Sequence, residues 1–301
     1  MSNEQTFLMK PKVDFCFKEL MEDAEVRKGF ISALLGVKPE EIEHTVLLPT
    51  HLRQEHPEDK LGILDIRVFI FERGKGKDAA SQSRKQMDLE IQLAPFPLWP
   101  ERSVFYLAKM YTGEIQKGES YGVLQKCIHV GILDFVLFGE DEEFYSCFHL
   151  WEDHRHRMYT DKLELHILEL PKIAERDYQE TELLNWGRFF NGEKKEEFEL
   201  AAEGSLYIEK AYERLTEISA DDLKRLEYEA REKAIRDHNY LMDYNLELGI
   251  KKGLDQGAKA LIETCRDYSC SREEAFSRLV EKLSLSSEEA EEYLEKYWEP
   301  K

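Results

Sequence analysis

The stretches ILDIRVFIFE (63–72) and KQMDLEIQLAPF (85–96) decide the fold of this chain, and a loop rich in glycine and lysine separates them. Both carry the β-branched and alternating residues that are typical of strands. If they form an antiparallel hairpin around that loop, the residue spacing places Asp65 and Glu90 opposite each other on neighbouring strands. The sequence therefore predicts a pair of carboxylates at one point of a sheet.

The second of these strands has two different faces. Side chains alternate along a strand. One face of this strand is apolar (Met87, Leu89, Ile91, Leu93) and the other is polar (Asp88, Glu90, Gln92). We therefore expect the apolar face to pack on the core and the polar face to line a cleft.

Asp65 is set among apolar residues, so it must be paired, hydrogen-bonded or bound to a metal ion. Two converging carboxylates suit Mg²⁺, with Mn²⁺ as a substitute, and the amide of Gln92 can hold a water molecule or a phosphate. Spacing alone leaves another interpretation open. The second strand is then an ordinary half-exposed strand, and Asp65 pairs with Arg67 or Lys85.

The flanking segments complete an α/β order. Helical spacing predicts one or two helices over 14–36, ending at Gly36, and a further helix over 102–114. Strands are expected at 45–52, 127–138, 144–152 and 162–172. Beyond about residue 175 long charged stretches predict helices, with Ser271 and Ser286 as N-caps of the last two.

Composition narrows the class of protein. The 301 residues carry a formal charge of −20, yet residues 1–130 come to about −2, so the first part of the chain permits a nucleic-acid surface. The five cysteines form no CxxC pair and are expected to be buried thiols. The N-terminus lacks the pattern of a signal peptide, and no apolar run is long enough for a membrane span. These features predict a soluble cytoplasmic protein that makes no contact with a membrane.

Several blocks in unbroken order carry a resemblance that spacing alone does not give. They are MKPKVDFCFKELM (9–21), ILDIRV (63–68), MDLEIQL (87–93), RSVFYLAKMYTGEIQKGESYGVLQKCIHVGILDFVLF (102–138) and LELHILELPK (163–172). Together they resemble the recombination-promoting nuclease/putative transposase family of the PD-(D/E)XK superfamily. The resemblance implies an α/β, restriction-endonuclease-like core, a central mixed sheet flanked by helices, over 1–172. An all-helical C-terminal region follows over 173–301.

The resemblance also assigns site residues. It implies that Asp65 and Glu90 are metal ligands and catalytic residues, that Gln92 belongs to the E-x-Q strand, and that Asp14 and Lys18 belong to the opening signature of the site. Gln92 stands where the wider superfamily has a lysine, so the developing charge on phosphorus must be met by Lys18, by the metal ion alone, or by no residue if activity is lost. Considered without the resemblance, Asp14 is a candidate helix cap and Lys18 a solvated lysine.

Four basic residues are candidate contacts to DNA. Arg102 lies just after the turn that leaves the E-x-Q strand, while Lys75, Lys77 and Lys85 make the hairpin loop locally positive. A solvated loop is the alternative for the three lysines.

Two functions of different class remain. The first is a magnesium-dependent DNA endonuclease that acts in recombination or with mobile elements. The second is a catalytically inactive, nuclease-like module that binds DNA or protein. In both, the C-terminal helices are the expected surface for a protein partner or a second copy.

Overall fold

The computed structural model describes residues 7–52, 64–73 and 83–298. Six strands form one mixed sheet in the order β1-β2-β3-β4-β6-β5. The strands are β1 (Ile42–Leu48), β2 (Ile66–Glu72), β3 (Ser83–Gln92), β4 (Lys126–Leu133), β5 (Tyr145–Trp151) and β6 (Met158–Glu169). Every strand expected from the sequence is present, with ends shifted by a few residues.

Strand direction changes within the sheet. β1, β2 and β3 are antiparallel neighbours, β3, β4 and β6 run parallel, and β5 is an antiparallel edge strand. The parallel strand β4 is buried along nearly its whole length, as expected for a strand that helices cover on both faces. The mixed sheet flanked by helices confirms the expected fold class.

Helices α1 (Asp14–Glu22) and α2 (Ala24–Leu35) follow one another closely. The carboxylate of Asp23 caps α2 by accepting hydrogen bonds from two backbone amides, and Gly36 ends it in the left-handed region at φ 62°. Phe17 and Phe30 from these helices pack against Trp186 and Phe190 of α4 (Glu182–Asn191). These aromatic contacts pack α4, which follows the sheet in the chain, against α1 and α2, which precede the sheet.

Helix α3 (Trp99–Thr112) connects β3 to β4 and packs on β4 and β6. Tyr106, Leu107 and Met110 of α3 form one apolar cluster with Cys127 of β4. Gly131 of β4 lies directly beneath Trp99, where an added Cβ atom would stand 2.6 Å from the indole Cζ2 atom. The missing side chain at 131 therefore lets α3 approach the sheet closely.

The rest of the described chain beyond residue 174 is helical: α4, α5 (Lys195–Ala202), α6 (Leu206–Ala220), α7 (Asp222–Asp267), α8 (Arg272–Leu283) and α9 (Ser287–Tyr297). The chain forms two compact units, Met1–Arg231 and Glu232–Lys301. The strands end with β6 at Glu169, whereas compact packing continues to Arg231 because α4 and α6 pack on α1 and α2. The domain boundary at 172 stays a prediction.

The second unit has an apolar core of its own, formed by α8, α9 and the later turns of α7, with Ile262, Leu279 and Leu294 fully buried. Ser271 and Ser286 cap α8 and α9 by accepting hydrogen bonds from the amides of Glu274 and Glu289, which confirms both predicted caps. None of the helices in the described part of the chain is long and apolar enough to cross a membrane.

Candidate active site

The polar face of β3 lies beneath α3 and is largely closed to solvent. Asp88 is fully buried and Glu90 is 2% exposed, while Gln92 is half-buried at the end of the strand. Met87 and Leu89 on the other face are fully buried as well. The expectation of one packed face and one open cleft was therefore wrong for Asp88 and Glu90, because helices cover this central strand on both sides.

The cross-strand position of Asp65 agrees with the predicted hairpin. Ile66 of β2 pairs with Leu89 of β3, and the same antiparallel register continued by one residue sets Asp65 opposite Glu90. Asp65 Oδ2 accepts a hydrogen bond from the backbone amide of Ile91 at 3.2 Å. Asp65 Oδ1 lies 2.9 Å from the ammonium nitrogen of Lys18.

Arg102 joins the other two predicted residues. Its guanidinium forms an ion pair with Glu90 Oε1 and donates to Gln92 Oε1 at 3.3 Å. Phe96, Trp99 and Tyr106 surround this guanidinium, each ring centroid 5.5 Å from its central carbon. The structure thus brings Glu90, Gln92 and Arg102 together, while Asp65 is held by a different cation.

The carboxylate of Glu90 is incompletely satisfied. Its Oε2 atom is buried and has no hydrogen-bond partner. Burial raises the pKa of Glu90 to about 7, although the nearby Arg102 acts to lower it. A carboxylate in this condition sits poised between its neutral and its charged form.

Two further residues, Asp88 and His129, complete the buried cluster, although the sequence analysis did not name them as site residues. His129 of β4 faces Asp88 across the parallel β3–β4 ladder, and its Nδ1 atom lies 2.8 Å from Asp88 Oδ2. Burial acts to lower the pKa of His129, but the charge and hydrogen bond of Asp88 outweigh it, so the pKa is raised. The one available signal in the sequence was a histidine inside the apolar strand CIHVGIL (127–133).

These residues form the one group in the described chain that meets the geometry of a metal site. Ligand atoms of Asp88, Glu90 and His129 all lie within 4.8 Å of one another. Asp88 Oδ1, Glu90 Oε2 and His129 Nε2 are buried and lack hydrogen-bond partners. Orphaned acceptors of this kind fit a divalent cation, and the oxygen-rich donor set with one imidazole suits Mg²⁺, Mn²⁺ or Zn²⁺.

Asp14 and Lys18 lie in a chain of charges that leads to Asp65. Asp14 does not cap α1, since Val13 occupies the N-cap position. Instead Asp14 Oδ1 accepts a hydrogen bond from Arg231 at 2.7 Å, and Asp14 Oδ2 is 3.9 Å from Lys18. The resulting order is Arg231, Asp14, Lys18, Asp65.

Two of the four predicted DNA contacts lie in the described residues, and each of these two forms an ion pair with a glutamate. Arg102 is bound to Glu90, and Lys85 is paired with Glu72 at 2.6 Å. Lys75 and Lys77 lie outside the described residues. The roles of the three lysines in DNA binding stay predictions.

The six-stranded mixed sheet with an acidic cluster on its central strand is the arrangement expected of a PD-(D/E)XK nuclease core. A family model described as "PD-(D/E)XK nuclease family transposase" matches residues 11–245. The chain belongs to this family. No curated protein and no solved structure gives a match.

Proposed function

We propose that this protein is a metal-dependent DNA endonuclease of the recombination-promoting, transposase-associated type. Its membership of a nuclease family supports the reaction class. The observation that carries the site is the incompletely satisfied Glu90, which the register of β2 and β3, continued by one residue, sets opposite Asp65.

Glu90 would hold the divalent ion, Mg²⁺ or Mn²⁺ as its substitute, together with Asp88 and His129, whose ligand atoms lie within 4.8 Å of it, and with Asp65 as the ligand that the resemblance implies. When bound, the ion supplies positive charge at a phosphate oxygen and lowers the pKa of a water molecule. Gln92 positions water or phosphate through its amide. Hydrolysis adds a hydroxyl to phosphorus and breaks one phosphodiester P–O bond, and the leaving alkoxide takes a proton.

Arg102 and Lys18 supply the charge that the missing lysine of the E-x-Q strand would have provided. Arg102 can exchange Glu90 for a phosphate, because both are anionic partners for a planar guanidinium, and the three aromatic rings around the guanidinium stabilise its charge. Lys18 is 41% exposed and next to Asp65, so its ammonium can meet a phosphate oxygen from the solvent side.

A plasmid-nicking assay with Mg²⁺ or Mn²⁺ tests this function. We expect Asp65→Ala and Glu90→Gln to lower the nicking rate by roughly a hundredfold or more. Glu72→Gln, a change of another carboxylate in the same pair of strands, is the matched control and should keep the activity of the parent. Nicking at the parent rate in both site variants would reject the site.

The DNA contacts are tested by binding at several salt concentrations with Ca²⁺ in place of Mg²⁺. Each lysine that meets a phosphate lowers the salt dependence when it is removed, by about one unit of slope. We expect this of Lys75→Ala, Lys77→Ala and Lys85→Ala. Unchanged slopes would assign these lysines to solvent.

Two observations favour the alternative of an inactive binding module. Arg102, the expected phosphate contact, forms an ion pair with Glu90, and the chain as a whole carries a charge of −20. DNA binding without cleavage, across metals and at low salt, would support this module.

The C-terminal helices, whose exposed Tyr240, Leu241 and Ile250 lie in the second unit, are the proposed surface for a second copy or protein partner. A cytoplasmic location stays a prediction.

A further inference from the structure

A second group of metal-binding side chains lies on strands β5 and β6, and the candidate active site uses none of them. Cys147 and His149 belong to β5, while Glu164 and His166 belong to β6. Cys147 pairs directly with His166 across the antiparallel ladder. Because side chains alternate along a strand, Glu164 projects from the same face as His166, and the hydrogen bond of His149 with Glu164 places His149 there too.

The four side chains form a closed ring of contacts. His166 Nε2 lies 3.8 Å from Cys147 Sγ and 3.3 Å from Glu164 Oε2. His149 completes the ring, with Nε2 2.8 Å from Glu164 Oε1 and Nδ1 3.9 Å from Cys147 Sγ. Ligand atoms around a tetrahedral zinc ion stand about 3.3–3.7 Å apart, a spacing that follows from its bond lengths. The neighbouring distances are therefore close to those of a zinc site, but the ring is closed through both ring nitrogens of His149 and both carboxylate oxygens of Glu164.

A second set of contacts prepares His166 to act as a ligand. Its Nδ1 atom lies 2.7 Å from the hydroxyl of Tyr145, and the same hydroxyl lies 3.3 Å from the backbone carbonyl of Leu34. If the hydroxyl donates to the carbonyl, then Nδ1–H donates to the hydroxyl. The Nε2 lone pair points into the ring in this tautomer, which would replace the metal-free one, in which Nε2–H donates to Glu164 and Nδ1 accepts from the Tyr145 hydroxyl. Histidine ligands of metals are held in this way by a partner on the other ring nitrogen.

We propose that Cys147, His149, Glu164 and His166 bind a zinc ion that ties the edge strand β5 to β6. Thiolate, imidazole and carboxylate donors together select zinc over magnesium. The thiol proton of Cys147 is released on binding. Cys147 is exposed, which leaves a path for the ion, whereas Glu164 and His166 are buried beneath it.

Besides the change of tautomer at His166, zinc binding requires two adjustments of the ring. The donors lie on a ring and not around a point, since the group of Asp88, Glu90 and His129 is the one in the described chain with all ligand atoms within 4.8 Å. In addition, Lys126 forms an ion pair with Glu164 in the metal-free arrangement. The zinc ion replaces this ammonium as the counter-ion of Glu164, and the four donor atoms move closer together around it.

Cobalt titration of the metal-free full-length protein tests the proposal. Tetrahedral Co²⁺ bound by a thiolate gives a charge-transfer band in the near ultraviolet and d–d bands in the visible. We expect both bands in the parent and their loss on addition of Zn²⁺. Cys147→Ser should remove the charge-transfer band, and His166→Gln and Tyr145→Phe should weaken binding by roughly tenfold or more. Cys270→Ser, a change of a cysteine outside the ring, should leave the spectrum unchanged.

The absence of a thiolate band in the parent, or its persistence in Cys147→Ser, would overturn the proposal. Alkylation of Cys147 in the unaltered parent gives a measurement that needs no variant, because bound Zn²⁺ should slow its reaction with iodoacetamide while Mg²⁺ should not. The outcome is independent of the proposed nuclease activity. Glu90→Gln should keep the thiolate charge-transfer band, and Cys147→Ser should keep Mg²⁺-dependent nicking.

Discussion

Two glutamates buried in the same sheet differ in the number of hydrogen-bond donors around them and in the direction in which their pKa is shifted. Glu90 on β3 is 2% exposed and has one cationic partner, Arg102, with one oxygen left unsatisfied. Glu164 on β6 is 7% exposed, and burial acts to raise its pKa, but hydrogen bonds from His166, Lys126 and His149 lower the pKa to about 2. The pKa of Glu90 is instead raised to about 7. Burial alone therefore does not set the charge of a carboxylate, and the number of donors around it does.

This difference assigns the two glutamates different tasks. A carboxylate with three donors is stable as an anion before any ligand arrives, so Glu164 supports structure in the metal-free protein. A carboxylate with an orphaned oxygen is costly to ionise until a cation reaches it. Glu90 is therefore the residue whose charge should depend most on a bound metal ion.

The largest expected effect is the removal of the cation from Glu90. Arg102→Met should lower the free energy of unfolding by about 3 kcal/mol at pH 8 in the presence of a chelator. The loss should be much smaller at pH 5, because Glu90 is then protonated. Urea denaturation at the two pH values measures the difference, with Arg155→Met on the surface as control. An equal loss at both pH values would assign the effect to packing.

The pH dependence of stability should distinguish the two glutamates by sign. Glu90 has a folded-state pKa above the ordinary value of 4.5, so its contribution to stability falls as the pH rises from 4.5 to about 7. Glu164 has a lowered pKa, so its contribution is present above 4.5 and is lost as the pH falls from 4.5 towards 2. Each contribution is about 3 kcal/mol.

Denaturation of metal-free protein across these two windows measures both slopes. Glu90→Gln should flatten the fall between pH 4.5 and 7 and leave the acid limb in place. Glu164→Gln should do the reverse. A change of both variants in the same pH window would contradict this distinction between Glu90 and Glu164.

The smallest effect on stability is expected at the partly exposed end of the site. Lys18 is 41% exposed in its pair with Asp65, so Lys18→Met should change the free energy of unfolding by less than about 1 kcal/mol. Nicking should nevertheless fall by roughly a hundredfold if the ammonium meets developing charge at the phosphate. A variant with the parent's nicking rate would restrict Lys18 to its ion pair.

The sequence predicted the local geometry of the site better than its long-range contacts. Asp65 and Glu90 belong to antiparallel neighbours in one hairpin, so residue counting was enough to give their register. Asp88 and His129 belong to parallel strands joined through α3, and no residue count fixes the register across such a connection. Their pairing could not be derived from spacing.

The sequence also did not show which side chains have partners far away along the chain, or which cysteines are exposed. Asp14 could be read as a helix cap because such caps are local, but its partner Arg231 lies more than two hundred residues away along the chain. The five cysteines were expected to be buried, yet Cys147 is exposed and Cys270 half-buried. β5 is an edge strand, and the position of a strand in the sheet order is not visible in its own residues.

The empty position at Gly131 has a mechanical consequence for Arg102. Any side chain at 131 would push Trp99 away from the sheet, and Arg102 lies one helical turn further along the same helix. A shift of about 1 Å in a reacting group is enough to slow a reaction by about a hundredfold. Gly131→Ala should therefore lower the nicking rate, although residue 131 belongs to neither the proposed metal ligands nor the proposed DNA contacts.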